Sequence, residues 1–333
     1  MTPQSQIHDL LTDPSPILVA THVNPDGDAI GSALGLAHLL AAQGKEGAVL
    51  LPQGLPERFQ WLSCPWPLLS SAEDFPGKTL FALDCGDASR VGVDTEALLQ
   101  SLQVVNIDHH TGNPLFGAIN WVDPQMSSVG EMIALLAKKW QSALRGPMAE
   151  ALYLAIVSDT GNMTYSNTTP QTLEIIAEIV AQGLDLDHFQ ARLQRQWKLG
   201  TVHLHGAAMQ DLGTRAQGRI GIIRVSQALL EQTQTSPEDC EGLVNYVRRV
   251  RGVVVAVSLR ESDTGIKFSL RTWGEIDVQA IAAELGGGGH PNAAGGLIAA
   301  DMAQAEERLV AHIRAKLPLQ AHPEGTARKR TPA

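Results

Sequence analysis

Long apolar runs are missing from this chain. None approaches the roughly 18–20 residues that span a bilayer, so no membrane-spanning helix is expected. The opening stretch, MTPQSQIHDLLTDPSP, has no basic segment followed by an apolar one, and no secretory signal is read there. Cysteine is scarce. Cys64, Cys85 and Cys240 are odd in number and far apart, which argues against a disulfide framework or a CxxC metal site and fits a reducing cytoplasm. Aromatic residues make up 5% of the chain, and the six tryptophans are too scattered to form a ladder for stacked bases. Positive charge is also in short supply. The net charge is −10, and residues 1–215 hold 11 Lys/Arg against 22 Asp/Glu, whereas residues 216–317 hold 11 against 12. Such a chain is a poor coat for long nucleic acid, whose binding draws on counterion release. A bound divalent cation changes that balance and lets an acid-rich domain face a phosphate. What the sequence does have is length and apolar content: 333 residues, 44% hydrophobic and 18% charged, enough for two domains with proper cores.

The order of patterns gives the fold class. PILVATH (16–22), GAVLLP (47–52), TLFALDCG (79–86) and QVVNIDHH (103–110) read as buried strands that end in polar residues. Between and after them lie helical patterns at 28–44, closed by Gly44, at 127–140 and at 148–161. This alternation predicts an α/β fold with a mostly parallel N-terminal sheet over residues 1–185. Residues 186–215 read as a helical linker. A second alternation follows over 216–317: strands at 219–226, 253–262, 265–272 and 296–300, with helices near 277–285 and at 301–316. It predicts a smaller C-terminal α/β domain. Residues 318–333 are aperiodic and read as a disordered tail.

The chemistry-bearing residues gather where these elements stop. The first strand runs into His22-Val-Asn-Pro-Asp26-Gly-Asp28, the third into Asp84, the fourth into Asp108-His109-His110, and a helix ends at Asp159. Each cluster by itself reads as a turn or a cap. In a parallel sheet, however, the strand ends share one edge, and ligands bind beyond it. Carboxylates with some imidazole and no thiolate suit Mn²⁺ or Mg²⁺, and sometimes Co²⁺ or Fe²⁺. The carboxylates are too many for one ion with open positions, and a pair of ions roughly 3.5–4 Å apart would use them. In the NPDGD stretch, Pro25 fixes φ and Gly27 permits a tight bend, so Asp26 and Asp28 project from irregular backbone.

THVNPDGDAIGSALGL, ALDCGDASRVG, NIDHHTGN and IVSDTGNMTYSNT together resemble the four motifs of the DHH phosphoesterase superfamily. GGGGHPNAAGG (286–296) resembles the signature of its DHHA1 substrate domain. The matches run from residue 21 to residue 296, and the length is most similar to the oligoribonuclease and pAp-phosphatase branch, where pAp is adenosine 3′,5′-bisphosphate. The resemblance implies a DHH domain and a DHHA1 domain with the active site in the cleft between them. It implies two Mn²⁺, for which Mg²⁺ or Co²⁺ can stand in. His22 and Asp26 would bind one ion, and Asp28, His109 and Asp159 the other. Asp84 would bridge them, Asp108 would support a histidine from behind, and His110 would face the phosphate or the leaving oxygen. The implied chemistry is in-line attack of a metal-activated hydroxide on phosphorus, with Asp84, His109 and His110 as catalytic residues. The implied substrates are short single-stranded oligonucleotides and pAp. The resemblance also allows a homodimer and gives no membrane partner.

In the second domain, four consecutive glycines leave backbone N–H groups open to an anion. Gly288, Gly289, His290 and Asn292, with Arg271 on the preceding strand, are the expected substrate residues; a guanidinium there can grip a phosphate in bidentate fashion. Arg248, Arg249 and Arg251 read instead as an exposed helix end. His203 and His205 read as packing or surface residues, and Tyr165 as a candidate base contact. Three other readings stay open: a RecJ-like exonuclease for long single strands, which would want a basic channel; a phosphodiesterase for linear or cyclic dinucleotides; and a noncatalytic nucleotide sensor, which would have no need of a metal set.

Overall fold

The structure is a computed structural model and describes residues 1–73, 75–91, 95–274 and 276–317. It divides into two compact units, Met1–Gln196 and one that begins at Trp197. The tail at 318–333, expected to be disordered, lies outside the described residues.

The first unit is built on six parallel strands: β1 (Ile17–Thr21), β2 (Gly47–Leu50), β3 (Leu68–Leu69), β4 (Thr79–Leu83), β5 (Gln103–Asp108) and β6 (Ile119–Val122). Its helices are α1 (Pro3–Leu10), α2 (Gly27–Ala42), α3 (Thr95–Ser101), α4 (Val129–Lys139), α5 (Gly146–Asp159), α6 (Pro170–Ala181) and α7 (Leu186–Gln194). The strand order is β3-β2-β1-β4-β5-β6, so the order reverses between β1 and β4, the kind of switch point at which open α/β sheets bind ligands. β1 and β4 are buried along their whole length, because the sheet is covered on both faces; this is why they read as unbroken apolar runs rather than alternating ones. Ile17 and Val19 join a core with α2, α4 and α5 on one face, while Leu18 and Ala20 join a smaller one on the other. The helix expected to close at Gly44 ends at Ala42, and Gly44 follows it with φ +77°, the left-handed residue that stops a helix. α1, β3, α3, β6 and α6 have no counterpart among the elements read from the sequence.

α2 and α5 lie antiparallel in close contact. A Cβ on Gly27 would strike Ser158, one on Gly31 would strike Ala151 and Ala155, and one on Gly35 would strike Leu152. Glycine every fourth residue thus lets the two backbones approach, and brings the start of α2 beside the end of α5.

The second unit contains α8 (Leu199–Gln210), β7 (Gly213–Arg215), β8 (Ile220–Val225), α9 (Gln227–Thr233), α10 (Leu243–Val247), β9 (Val255–Ser262), β10 (Gly265–Thr272), α11 (Val278–Glu284), β11 (Gly288–His290), β12 (Ala293–Ile298) and α12 (Met302–Lys316). Its sheet has the order β11-β12-β10-β9-β8-β7 and is antiparallel except where β8 meets β9. β10 alternates cleanly: Ile266, Phe268, Leu270 and Thr272 are buried, the first three of them in a core shared with α11 and α12, so Ser269 and Arg271 stand on the opposite face. No helix among the described residues is long and apolar enough to cross a membrane.

Candidate metal centre and substrate face

Three adjacent strands deliver the residues that the sequence placed at strand ends. His22 follows β1, Asp84 follows β4, and Asp108 closes β5 ahead of His109 and His110. Asp159 is the last residue of α5 and Asp28 lies in the first turn of α2, the two helices that the glycines draw together. Asp84 has φ +57°, so the backbone turns sharply as β4 ends.

Both histidines are held in the same way. His22 Nδ1 lies 2.8 Å from the Val23 carbonyl, and His109 Nδ1 lies 3.2 Å from the Met126 carbonyl. A carbonyl only accepts, so each Nδ1 carries a proton and each Nε2 is the ring atom turned toward the carboxylates. The two Nε2 atoms meet separate oxygens of one carboxylate: His22 Nε2 is 3.7 Å from Asp84 Oδ2, and His109 Nε2 is 3.6 Å from Asp84 Oδ1. Among the described residues, that buried Oδ1 has no hydrogen-bond partner. Around this axis three donor sets share Asp84: His22, Asp26 and Asp84; Asp28, Asp84 and His109; and Asp84, Asp108 and His110; the ligand atoms of each set lie within 4.8 Å of one another. Asp159 Oδ2 stands 3.1 Å from His109 Nε2, which adds it to the second set. An orphaned buried oxygen on a carboxylate whose two oxygens each face an imidazole Nε2, in an all-oxygen and nitrogen donor set, fits a pair of hard divalent cations.

The electrostatics call for positive charge. Burial, then the charges of Asp84 and Asp159, raises the Asp28 carboxyl well above the ordinary range, against the pull of His109 and the Gly130 amide. Asp26 is raised by burial and by the same two charges, although 52% of its side chain is open to solvent. Burial works against charging His109, but the Asp159 carboxylate at 3.1 Å and the nearby Asp84 charge prevail and raise it. Asp28 is further fixed by the Val129 and Gly130 N–H groups, at 2.8 and 2.9 Å. These belong to the first turn of α4, where a carboxylate is favoured by about 0.3–1 kcal/mol.

Asp108, in the third of these sets, has both of its oxygens hydrogen-bonded. Its carboxylate accepts from the backbone N–H groups of Gly86 and His109, from Asn113 and from His110 Nδ1 at 2.7 Å. Burial opposes its ionisation, but the His110 hydrogen bond and charge outweigh it and hold the group below the carboxylate range. The Asp108 bond fixes His110 with Nε2 pointing away from that carboxylate. The two histidines thus approach one oxygen, Asp84 Oδ1, His109 by Nε2 at 3.6 Å and His110 by Nδ1 at 3.5 Å, while Asp108 braces His110.

In the second unit, Arg271, Ala293 and His290 stand in one cross-strand row. Residues directly opposite share a face, so Arg271 and His290 flank the small Ala293 with their Cα atoms about 10 Å apart. The next row on that face is Ser269, Gly295 and Gly288, which leaves the sheet nearly bare. The glycine run is not a free loop: Gly288–His290 is a strand. Gly289 has φ +139° and a Cβ there would lie 2.7 Å from Ala294 Cα, whereas a Cβ on Gly288 would meet nothing within 4 Å. Packing accounts for Gly289 and not for Gly288. Asn292 lies beside Gly274, and its carbonyl accepts from the Thr272 N–H.

One expectation fails here. Arg248 is no exposed helix end: it is 8% exposed, and its guanidinium lies 3.9 Å from the centroid of the Trp273 ring, whose indole N–H donates to the Arg248 carbonyl at 3.0 Å. Trp273 is 57% exposed and follows β10 just past Arg271, an aromatic surface that the scatter of tryptophans in the sequence concealed. Among the histidines of the expected linker, His205 is buried against the Asp239 carbonyl.

A family model described as the DHH family, N-terminal domain, matches residues 16–156, and one described as the DHHA1 domain matches residues 222–317. The chain belongs to the DHH family. This DHH protein is a hydrolytic phosphoesterase by class. It is 37% identical over 310 residues, 91% of its length and 90% of the relative's, to a protein of Thermus thermophilus named bifunctional oligoribonuclease and PAP phosphatase NrnA. It is 29% identical to the Bacillus subtilis protein of the same name, over 85% of its length and 89% of the relative's. A crystal structure of an exopolyphosphatase-related protein from Bacteroides fragilis superposes with a TM-score of 0.87 at 26% identity, covering 94% of this chain and 96% of the other.

Proposed function

We propose that this DHH protein degrades short oligonucleotides to mononucleotides and dephosphorylates pAp to AMP, using two Mn²⁺ for which Mg²⁺ or Co²⁺ can stand in. The observation that carries the reading is the approach of two imidazole Nε2 atoms to separate oxygens of Asp84. The names of the two curated relatives support the substrates. His22 and Asp26 would hold one ion, Asp28, His109 and Asp159 the other, with Asp84 common to both. When bound, the cations supply Lewis acidity that lowers the pKa of an attacking water and offsets charge growing on phosphorus. The rest is the work of the chain. Water adds to phosphorus, the P–O ester bond breaks, and the departing oxygen takes up a proton. His110, braced by Asp108, offers Nε2 to the phosphoryl or leaving oxygen. Arg271, His290 and Asn292 hold the substrate over the bare strip at Gly288, with Gly289 letting the strand pack closely behind it.

Catalysis is assigned to residues 1–185, the helical link to 186–215 and substrate binding to 216–317. The excess of acid over base in residues 1–215 favours short substrates over long strands. The same reading puts the protein in the cytoplasm and allows a homodimer. Phosphate release from pAp, and gel analysis of labelled short and long oligomers, both with Mn²⁺, test it. Asp84→Ala and His109→Ala should abolish both activities; undiminished turnover would sink the proposal, and preferential digestion of long strands would redirect it to a RecJ-like role.

A further inference from the structure

Glu131 is a carboxylate that the chemistry above does not use. It is 1% exposed and lies in the first turn of α4. One of its oxygens, Oε2, accepts from the Ser127 N–H at 3.0 Å, from the Ser127 hydroxyl, and from the Thr172 hydroxyl of α6 at 3.0 Å. The sequence Ser128-Val-Gly-Glu131 has the pattern of a capping box, in which the glutamate would reach back to the Ser128 N–H. Ser128 does cap α4, accepting from the Glu131 N–H, but the glutamate reaches one residue further back, to Ser127. It thereby ties the residues before the helix to α6 as well as to α4. Asn167 completes the clamp: its side-chain amide donates to the Ser127 carbonyl at 2.9 Å and to the Asp159 carbonyl at 3.1 Å.

The clamped turn is what aims three of the proposed ligands. The Met126 carbonyl fixes His109, the Val129 and Gly130 N–H groups fix Asp28, and Asn167 fixes the backbone of Asp159. The other set is anchored differently. His22 leans on the Val23 carbonyl, and Asp26 accepts from the N–H groups of Asp28 and Ala29, both within its own turn.

We propose that Glu131 and Asn167 are positioning residues for one half of the metal centre, setting the affinity of the Asp28, His109 and Asp159 site and leaving the His22 and Asp26 site largely untouched. The inference rests on the two-cation reading, and its test separates the two. Full-length protein stripped with a chelator is titrated with Mn²⁺, followed by the electron paramagnetic resonance of free Mn²⁺ and by calorimetry. Wild type should take up two equivalents; fewer would overturn the two-cation reading itself. Glu131→Ala and Asn167→Ala should each weaken one equivalent by about 10–100-fold, the usual effect of losing a group that orients a ligand, and leave the other unchanged. Glu131→Gln keeps an acceptor for the same three donors and should restore most of the loss. A general structural defect would weaken both equivalents alike, and that result, or no change in either, overturns the proposal. If Glu131→Ala does not fold, Thr172→Val, which removes one of the three donors, decides in its place by the same readout.

Discussion

Gly31→Ala sets two ordinary effects against each other. In a helix interior, alanine is favoured over glycine by about 0.8–1 kcal/mol. Against this, a Cβ on Gly31 would lie 2.7 Å from Ala155 N and 2.9 Å from Ala155 Cβ, and closer still to the Ala151 carbonyl. Two of these three are backbone atoms, which cannot rotate aside. Carbon contacts settle near 3.5–4.0 Å, so α2 and α5 must part by about 1 Å. Overpacking of this kind costs about 1–3 kcal/mol. The difference is a net loss of about 0–2 kcal/mol, or a melting temperature lower by up to roughly 8 °C at 2–4 °C per kcal/mol. The functional effect should be larger than the stability effect. Asp28 lies three residues before Gly31 and Asp159 four after Ala155, so the same opening separates two of the proposed ligands by more than the ~0.5 Å such sites tolerate. Gly206→Ala in α8 is the control, because nothing lies within 4 Å of its Cβ; it should stabilise by about 0.4–1 kcal/mol. Scanning calorimetry of the metal-free proteins and Mn²⁺ titration check both. A Gly31→Ala protein that melts at or above wild type with unchanged Mn²⁺ affinity would refute the reasoning.

Asp84 raises both Asp26 and Asp28 by its charge, so metal-free Asp84→Asn should melt higher than wild type at neutral pH, by roughly 1–2 kcal/mol, and should lose the rise in melting temperature that Mn²⁺ gives wild type; an unchanged response to Mn²⁺ would count against the bridging role. A carboxyl raised in the folded state favours folding while protonated, below its unfolded value, and forfeits that as pH rises through its folded value. With Asp28 raised, the gap in melting temperature between Mn²⁺-loaded and metal-free protein should be widest at neutral pH and narrow on acidification, since a proton then relieves the repulsion that the cation would relieve; a gap constant from pH 5 to 8 contradicts this. His110→Ala should keep both Mn²⁺ equivalents and lower kcat by about 10²–10⁴-fold, the range for a positioned proton donor, with steady-state kinetics as the check. Gly288→Ala should fold like wild type, having open space for its Cβ, and should raise KM for pAp; an unchanged KM would mean that the substrate does not approach that strand.

The parts of the fold legible in the sequence were those written in local runs. β1 and β4 are apolar segments that stop at His22 and Asp84, and β5 carries a buried Val104-Val105 pair and ends ahead of His109, so the strand ends and their shared edge followed from local pattern. β6 escaped because Ile119–Val122 is short and carries Asn120, and its pairing with β5 is what makes it a strand. The ligand candidates were legible by residue type, but their supports were not. Met126 acts through its carbonyl, which any residue would supply. Glu131 meets Thr172 41 residues away, and nothing local distinguishes it from a capping glutamate. The basic run at 248–251 has the composition of a surface; Trp273, 25 residues on, turns one member inward. The four glycines announced missing side chains and not the strand that three residues there, Gly288 to His290, form.

The reversal of strand order between β1 and β4 has a consequence for synthesis. Because β1 pairs with β4 rather than β2 alone, and α2 packs against α5, the centre draws on residues from His22 to Asp159, nearly the whole of the first unit. A ribosome delivers those residues one at a time from the N-terminus. Until α5 has emerged and docked on α2, a growing chain carries the carboxylates of three strand ends with one wall of their enclosure absent. On the proposed ligand set, cation capture would be a late event in the life of the nascent chain, and a truncation before Asp159 would leave the acidic ends without the helix that packs against α2.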